Sequence, residues 1–149
     1  MLVLRRTYAT NPQFQDLVTL LDDELAILDG EDHSFYHQLN TIGNLRFVVL
    51  ALKGDQPVGC GAIREFDELT MEVKRMYVTI AERGQGIATR ILAELENWAR
   101  EMRAERCVLE TGKRQPDAIA LYTKCGYRSI PNYGQYAQME NSVCFEKKL

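Results

Sequence analysis

The sequence predicts an α/β fold of the α+β type: a mixed, mostly antiparallel central sheet of about six to seven strands, flanked by helices on both faces. Apolar runs of strand length and apolar stripes of helical period alternate in the order β-αα-βββ-α-β-α-ββ. Three consecutive strands are separated by turns too short for a crossover, so that part is an antiparallel meander. A third feature points to function. In YVTIAERGQGIATRIL (residues 77–92) a short strand enters an amphipathic helix through two glycines, Gly84 and Gly86.

Residues 3–8 form the first strand candidate. Thr10 or Asn11 caps a helix that has Pro12 in its first turn. Phe14, Leu17, Val18, Leu21, Leu25 and Leu28 make its buried stripe, and Gly30 is its stop. A shorter second helix is expected over residues 33–42. The meander follows: LRFVVLAL, a turn at KGDQ, PVGCGAIREF, a turn at Asp67 and Glu68, then LTMEVKRMYVTI. Strict alternation along the last strand puts Glu72, Lys74, Met76 and Val78 on one face. After the glycine turn, Ile87, Ile91, Leu92, Leu95, Trp98, Ala99 and Met102 share a helical face. CVLET is a strand. PDAIALYTKCGY is a compact helix, with Pro116 in its first turn and Gly126 at the left-handed position past its end. Two short strands, near YRSI and SVCFEKK, end the chain.

With 149 residues, of which 46% are hydrophobic and 26% charged, the chain is expected to be one domain, residues 1–149, with a single core. The net charge of −3 counts against a nucleic-acid partner. No apolar run has the length of a membrane span, and the first residues lack the core of a signal peptide. Cys60, Cys107, Cys125 and Cys144 are scattered, and only His33 and His37 represent histidine, so no metal site is expected. Buried thiols in the reducing cytoplasm are the simplest reading.

The glycine turn fits a phosphate. The first N–H groups of a helix lack partners and point outward, the helix dipole adds positive charge, and glycine keeps side chains out of the way. A P-loop is excluded, because no Lys-Ser or Lys-Thr follows the glycines. A dinucleotide fingerprint is weakened by Thr89 where a third small residue belongs. The remaining pattern, Arg/Gln-x-x-Gly-x-Gly/Ala, is met by Arg83, Gly84, Gln85, Gly86, Ile87 and Ala88.

Here the sequence resembles the GNAT superfamily of N-acetyltransferases, which use acetyl-CoA. A second motif supports the resemblance: Ala118, Tyr122, Gly126 and Tyr127 stand where the family has A-x-x-x-Y-x-x-x-G-[FY]. The resemblance implies a GNAT-like acyl-CoA N-acyltransferase fold and the cosubstrate acetyl-CoA, whose pyrophosphate would lie on residues Arg83 to Thr89. It implies that Met76, Tyr77 and Val78 offer free backbone groups to the pantetheine arm, and that the Val78 N–H receives the developing oxyanion. Tyr122 is the implied general acid. Gln115 stands where many members have asparagine beside the cofactor arm.

Attack by an amine also needs a base, because an amine of pKa near 10 is mostly protonated at neutral pH. The resemblance implies Glu72, eleven residues before Arg83, or Glu110, twelve before Tyr122, since members of the family place their base at one or the other separation; Glu72 is placed first and Glu65 third. No cysteine suits an acetyl-enzyme, and the resemblance implies direct attack by the amine. The acceptor segments are EDHSFYHQLN (31–40) and PNYGQYAQMENS (131–142). The expected acceptor is a small-molecule amine or an amino acid. Alternatives are a protein lysine or N-terminus, or a silent CoA-binding module. Homodimers are common in the family.

Overall fold

The computed structural model describes residues 1–34, 36 and 45–149. The second helix expected over residues 33–42 lies mostly outside them. One seven-stranded sheet runs in the order β1-β2-β3-β4-β5-β7-β6. Its strands are β1 (Leu2–Thr7), β2 (Phe47–Lys53), β3 (Gln56–Asp67), β4 (Thr70–Val78), β5 (Arg106–Gly112), β6 (Arg128–Ile130) and β7 (Ser142–Lys148). Every neighbouring pair is antiparallel except β4 and β5, which run parallel. Among the described residues three helices flank the sheet: α1 (Pro12–Asp29), α2 (Ile87–Glu101) and α3 (Pro116–Lys124).

The helices sort onto two faces as the apolar alternation dictates. Phe14, Leu17, Val18 and Leu21 of α1 pack on Val48, Leu50, Leu52, Cys60 and Ala62. On the other face Ile91, Leu92 and Leu95 of α2 and Tyr122 of α3 pack on Val49, Ala51, Ile63 and Leu109. The caps are those the sequence names. The Asn11 side chain accepts from the Gln13 N–H, and Gly30 ends α1 with a positive φ.

Two irregularities in β4 shape everything that follows. First, β4 and β5 pair only at Thr70↔Arg106, Met71↔Cys107 and Glu72↔Val108. Beyond that point β5 stays with β7 as far as Gly112, while β4 stays with β3 as far as Val78. A cleft therefore opens between two parallel neighbours in mid-sheet. Second, the β3–β4 register passes from Cys60↔Tyr77 to Ala62↔Lys74, so Gly61 alone opposes Arg75 and Met76. That is a β-bulge. Arg75 takes a φ of 59°, a left-handed conformation that costs a side-chain-bearing residue about 1–2 kcal/mol. Gly61 opposite leaves room for Met76 and Leu95: a Cβ there would sit 2.5 Å from Met76 Sδ and 2.9 Å from Leu95, so those side chains would have to shift.

The bulge overturns one expectation. Glu72, Lys74, Met76 and Val78 do not share a face. The extra residue reverses the alternation, so Val78 joins Val73 in the α2 cluster and Met76 packs there too. Tyr77 lies among the α1 residues. Glu72, Lys74, Arg75 and Tyr77 therefore belong to the α1 side. Strict period-two alternation holds only for an unbulged strand.

Candidate active site

The cleft holds a cavity of about 110 Å³ lined from both sides of the sheet. Leu21, Leu25, Asp29, Tyr36, Lys74, Arg75, Glu110 and Tyr136 contribute, as do Gln115, Ala118 and Tyr122. Its walls come from α1, the diverging parts of β4 and β5, and α3.

The glycine turn lies just past the end of β4. Gly84 and Gly86 have φ of 80° and 79°, and a Cβ on either would meet nothing within 4 Å. The turn thus requires glycine for its backbone, and its outer side is open. Gly86 is the N-cap of α2, no side chain caps the helix, and its first turn holds no acid. The N–H groups of Ile87, Ala88 and Thr89 accordingly lack a capping partner, and the dipole there is uncompensated. The flanking side chains turn away from this opening. Arg83 folds back, donating from Nε to the Val78 carbonyl at 2.9 Å and from Nη2 to Glu24 at 3.0 Å, with its guanidinium 5.5 Å from the Tyr77 ring. Gln85 accepts from Lys53 at 2.7 Å.

The free edge of β4 faces the cleft. The Thr79 N–H donates to the Val58 carbonyl at 2.9 Å, on the β3 side. Alternation then turns the N–H and carbonyl of Val78 the opposite way, into the gap that β5 has left.

The two glutamates differ sharply. Glu72 is 1% exposed and both its oxygens are taken: Arg64 Nε donates to Oε1 at 2.7 Å and Tyr133 donates its hydroxyl to Oε2 at 2.6 Å. Glu110 projects from β5 on the α1 side, paired across the ladder with Cys144, which packs with Tyr36 and Tyr136. Its Oε2 is buried and has no partner among the described residues. Burial pushes the Glu110 carboxyl up to about 7, against the opposing pull of the Ser142 hydroxyl and the Lys74 charge. An unpartnered buried carboxylate oxygen is rare in a finished core and common where a ligand or proton is handled.

Tyr122 enters from α3, on the far side of the sheet from Glu110. Its ring packs on Tyr127 and Phe145 with centroids 5.9 and 6.4 Å away. Burial first, and then the Glu110 charge, raises its pKa, so the phenol keeps its proton at any working pH. Tyr127 of the same motif is structural: its hydroxyl donates to the buried Glu96 at 2.9 Å. Gln115 caps no helix N–H with its side chain and lines the cavity. Its Nε2 lies 3.4 Å from where a Gly112 Cβ would be, next to the Asn141 amide nitrogen, itself buried and unpartnered among the described residues.

Sequence reading missed two side chains. Lys74 and Arg75 are both buried in the cavity wall. Lys74 Nζ donates to the Tyr136 hydroxyl at 3.2 Å, and burial lowers its pKa. Arg75 reaches Asp22 of α1 at 2.7 Å. Two adjacent cations within an apolar strand were the available signal, since such residues are seldom fully buried. Of the first acceptor segment, residues 35 and 37–40 lie outside the described residues, while Tyr36 lines the cavity. The four cysteines are free, with Cys125 half-buried and the other three buried. Among the described residues no cluster of three or more His, Cys, Asp or Glu is placed to hold a metal, and no helix is long and apolar enough to cross a membrane.

A split mixed sheet, with an anion-ready helix start beyond the split and ionisable groups inside it, is the acyl-CoA N-acyltransferase architecture. The chain belongs to the acetyltransferase (GNAT) family, whose sequence profile matches residues 14–127. It is 35% identical over 150 residues to the IAA acetyltransferase of Azospirillum brasilense, covering 96% of this chain and 97% of that one. Among solved structures it resembles a Klebsiella pneumoniae protein assigned as an acyl-CoA N-acyltransferase, with a TM-score of 0.84, 30% identity and coverage of 100% and 98%. It shares its fold with a GNAT acetyltransferase of Elizabethkingia anophelis crystallised with acetyl-CoA (TM-score 0.71, 19% identity, coverage 99% and 98%). The protein is an acetyltransferase, and acetyl-CoA is its cosubstrate.

Proposed function

We propose that the protein acetylates the primary amine of a small molecule or amino acid by direct attack on acetyl-CoA in the cleft between β4 and β5. The observation that carries this is the cleft itself, which joins the free backbone edge of β4 to the unpartnered oxygen of Glu110. The pyrophosphate lies on the turn from Arg83 to Thr89, whose glycines leave it open. The pantetheine arm runs along Met76, Tyr77 and Val78, with the Gln115 amide on the opposite wall.

The amine nitrogen attacks the thioester carbonyl, and the Val78 N–H receives the charge that develops on oxygen. The carbon–sulfur bond breaks and the Tyr122 hydroxyl gives its proton to the leaving sulfur. Glu110 takes the proton that nitrogen loses. A carboxyl near 7 suits that task, because a base works best when its pKa is close to the operating pH. Glu72 lies in the cavity wall with both oxygens engaged by Arg64 and Tyr133, and acts as a positioning residue.

The name of the Azospirillum relative makes IAA one acceptor to try. Residues 1–149 act as one domain, and the four free thiols fit the reducing cytoplasm.

Calorimetric titration with acetyl-CoA, with CoA, NADH and ATP as controls, tests the first half of the reading, and thiol release across an amine panel tests the second. Acetyl-CoA is expected to bind in preference to NADH and ATP, and at least one amine to release CoA. Preference for NADH or ATP, or binding without turnover of any amine, contradicts it.

A further inference from the structure

We propose that the acceptor carries a carboxylate beside its amine, and that the guanidinium of Arg75, assisted by Lys74, seats that carboxylate. The inference rests on the acetyl-transfer reading above and adds the substrate class.

Arg75 has a side chain only 3% exposed. Its Nη2 donates to Asp22, but Nε and Nη1 are buried and have no partner among the described residues. The three N–H groups on Nε and Nη1 therefore remain unclaimed, on a residue that lines the cavity. Buried donors of this kind are expensive to leave unmet, and a guanidinium is shaped for a carboxylate. The backbone adds a second observation. Arg75 holds a left-handed φ at a bulge position where glycine would sit without steric cost. A large cationic side chain at such a place has its reason in what the side chain does.

Charge balance points to the same ligand. On the α1 side of the cleft, Glu72 is spent on Arg64 and Asp22 on Arg75. Lys74 donates to a neutral hydroxyl. Asp29 is pushed toward its neutral form by burial and lies beside His33. Glu110 is pushed the same way. An acceptor bringing only an ammonium group would meet Lys74, which has no carboxylate partner among the described residues, beside the Arg75–Asp22 pair. An aminocarboxylate brings its own compensation: the carboxylate faces Arg75 and Lys74, and the ammonium faces Glu110. Leu21 and Leu25 line the same cavity and offer an apolar wall to its substituent. The class indicated is thus an amino acid, or a similar small aminocarboxylate, with an apolar side group.

The test uses matched acceptors: leucine, leucinamide and isoamylamine, and phenylalanine, phenylalaninamide and phenethylamine. CoA release is followed for the wild-type protein and for Arg75→Gln and Arg75→Lys. In the wild type, kcat/KM for the amino acid should exceed that for its amide and its amine by about ten-fold or more, because a site built to bond a group rejects analogues lacking it. In Arg75→Gln that preference should collapse through a rise in KM, and Arg75→Lys should restore part of it. Equal turnover of amino acid, amide and amine by the wild type overturns the inference while leaving acetyl transfer intact, and this comparison needs no variant to fold. If none of these amines is turned over, calorimetry on the CoA complex decides: tighter binding of the amino acid than of its amide supports the carboxylate seat, and equal or absent binding overturns it. Failure of acetyl-CoA itself to bind removes the acetyl-transfer reading and this inference together.

Discussion

The two halves of the cleft are built from different materials. The donor half is backbone: an uncapped helix start, two glycines with positive φ, and the free edge of β4. The acceptor half is side chains: Glu110, Lys74, Arg75 and a cluster of tyrosines, buried together on the α1 side of the sheet. A backbone site announces itself in sequence, because only glycine suits it and glycine spacing is visible. A side-chain site depends on which face each residue takes, and here one bulge reverses the faces of β4. The donor half should therefore be sensitive to bulk at the glycines and indifferent to pH. The acceptor half should show the reverse behaviour.

The largest expected effect breaks the donor half alone. Gly86→Glu places bulk and negative charge on the open turn, in a backbone conformation that disfavours any side chain. Acetyl-CoA affinity should fall by about 100-fold or more in calorimetry, equivalent to roughly 2.7 kcal/mol or above. Unchanged affinity would remove the pyrophosphate from this turn. Next comes the acceptor half. Glu110→Gln should lower kcat by about 10²- to 10⁴-fold, the usual worth of a positioned base, while acetyl-CoA binds as before. Tyr122→Phe should cost about 10²-fold in kcat through slower departure of the thiolate. A loss confined to KM would argue that Tyr122 only packs.

These contrasts also show what the sequence made legible. Apart from the second helix, which lies mostly outside the described residues, the order of elements was readable, as were the cap at Asn11 (one of the two residues offered), the Gly30 stop, the meander and the helix from Ile87, because each follows from local periodicity or turn chemistry. The parting of β4 from β5 was available only through family resemblance. Periodicity carries no information about where two strands separate. The bulge at Arg75 was invisible for a further reason: the position holds arginine, so the usual glycine signal is missing. With the bulge hidden, Met76 and Val78 were put on the wrong face. The ranking of Glu72 before Glu110 draws on family spacing and strand position, which carry nothing about side-chain partners. What separates the two is their partners, Arg64 and Tyr133 on one and none on the free oxygen of the other, and these come from β3 and from the loop before β7.

Two smaller effects sharpen the same distinction. Glu72→Gln keeps one acceptor oxygen and turns the other into a donor, so one of its two buried hydrogen bonds is lost, which should lower stability by about 1–3 kcal/mol, or some 2–12 °C in Tm for a chain of this size. Its pH–rate profile should keep the wild-type shape. Glu110 acts on stability in the opposite sense. Its folded pKa, about 7, stands above the ordinary 4.5. Below 4.5 both folded and unfolded chains hold the proton. Between 4.5 and 7 only the folded chain holds it, so stability drops as pH rises and the penalty is complete above 7. Glu110→Gln should therefore gain Tm relative to wild type as pH goes from 4.5 to 7.5. A constant difference across that window would mean the carboxyl ionises as it does in water.

The central claim is that a cosubstrate held by backbone meets an amine deprotonated by Glu110. The pH dependence of kcat in saturating acetyl-CoA, measured for wild type and Glu110→Gln on the best acceptor, tests it most directly. The wild type should show an ascending limb with a midpoint near 7, and the variant should lose that limb. A limb that survives unchanged in Glu110→Gln would assign the proton to another group and contradict the account.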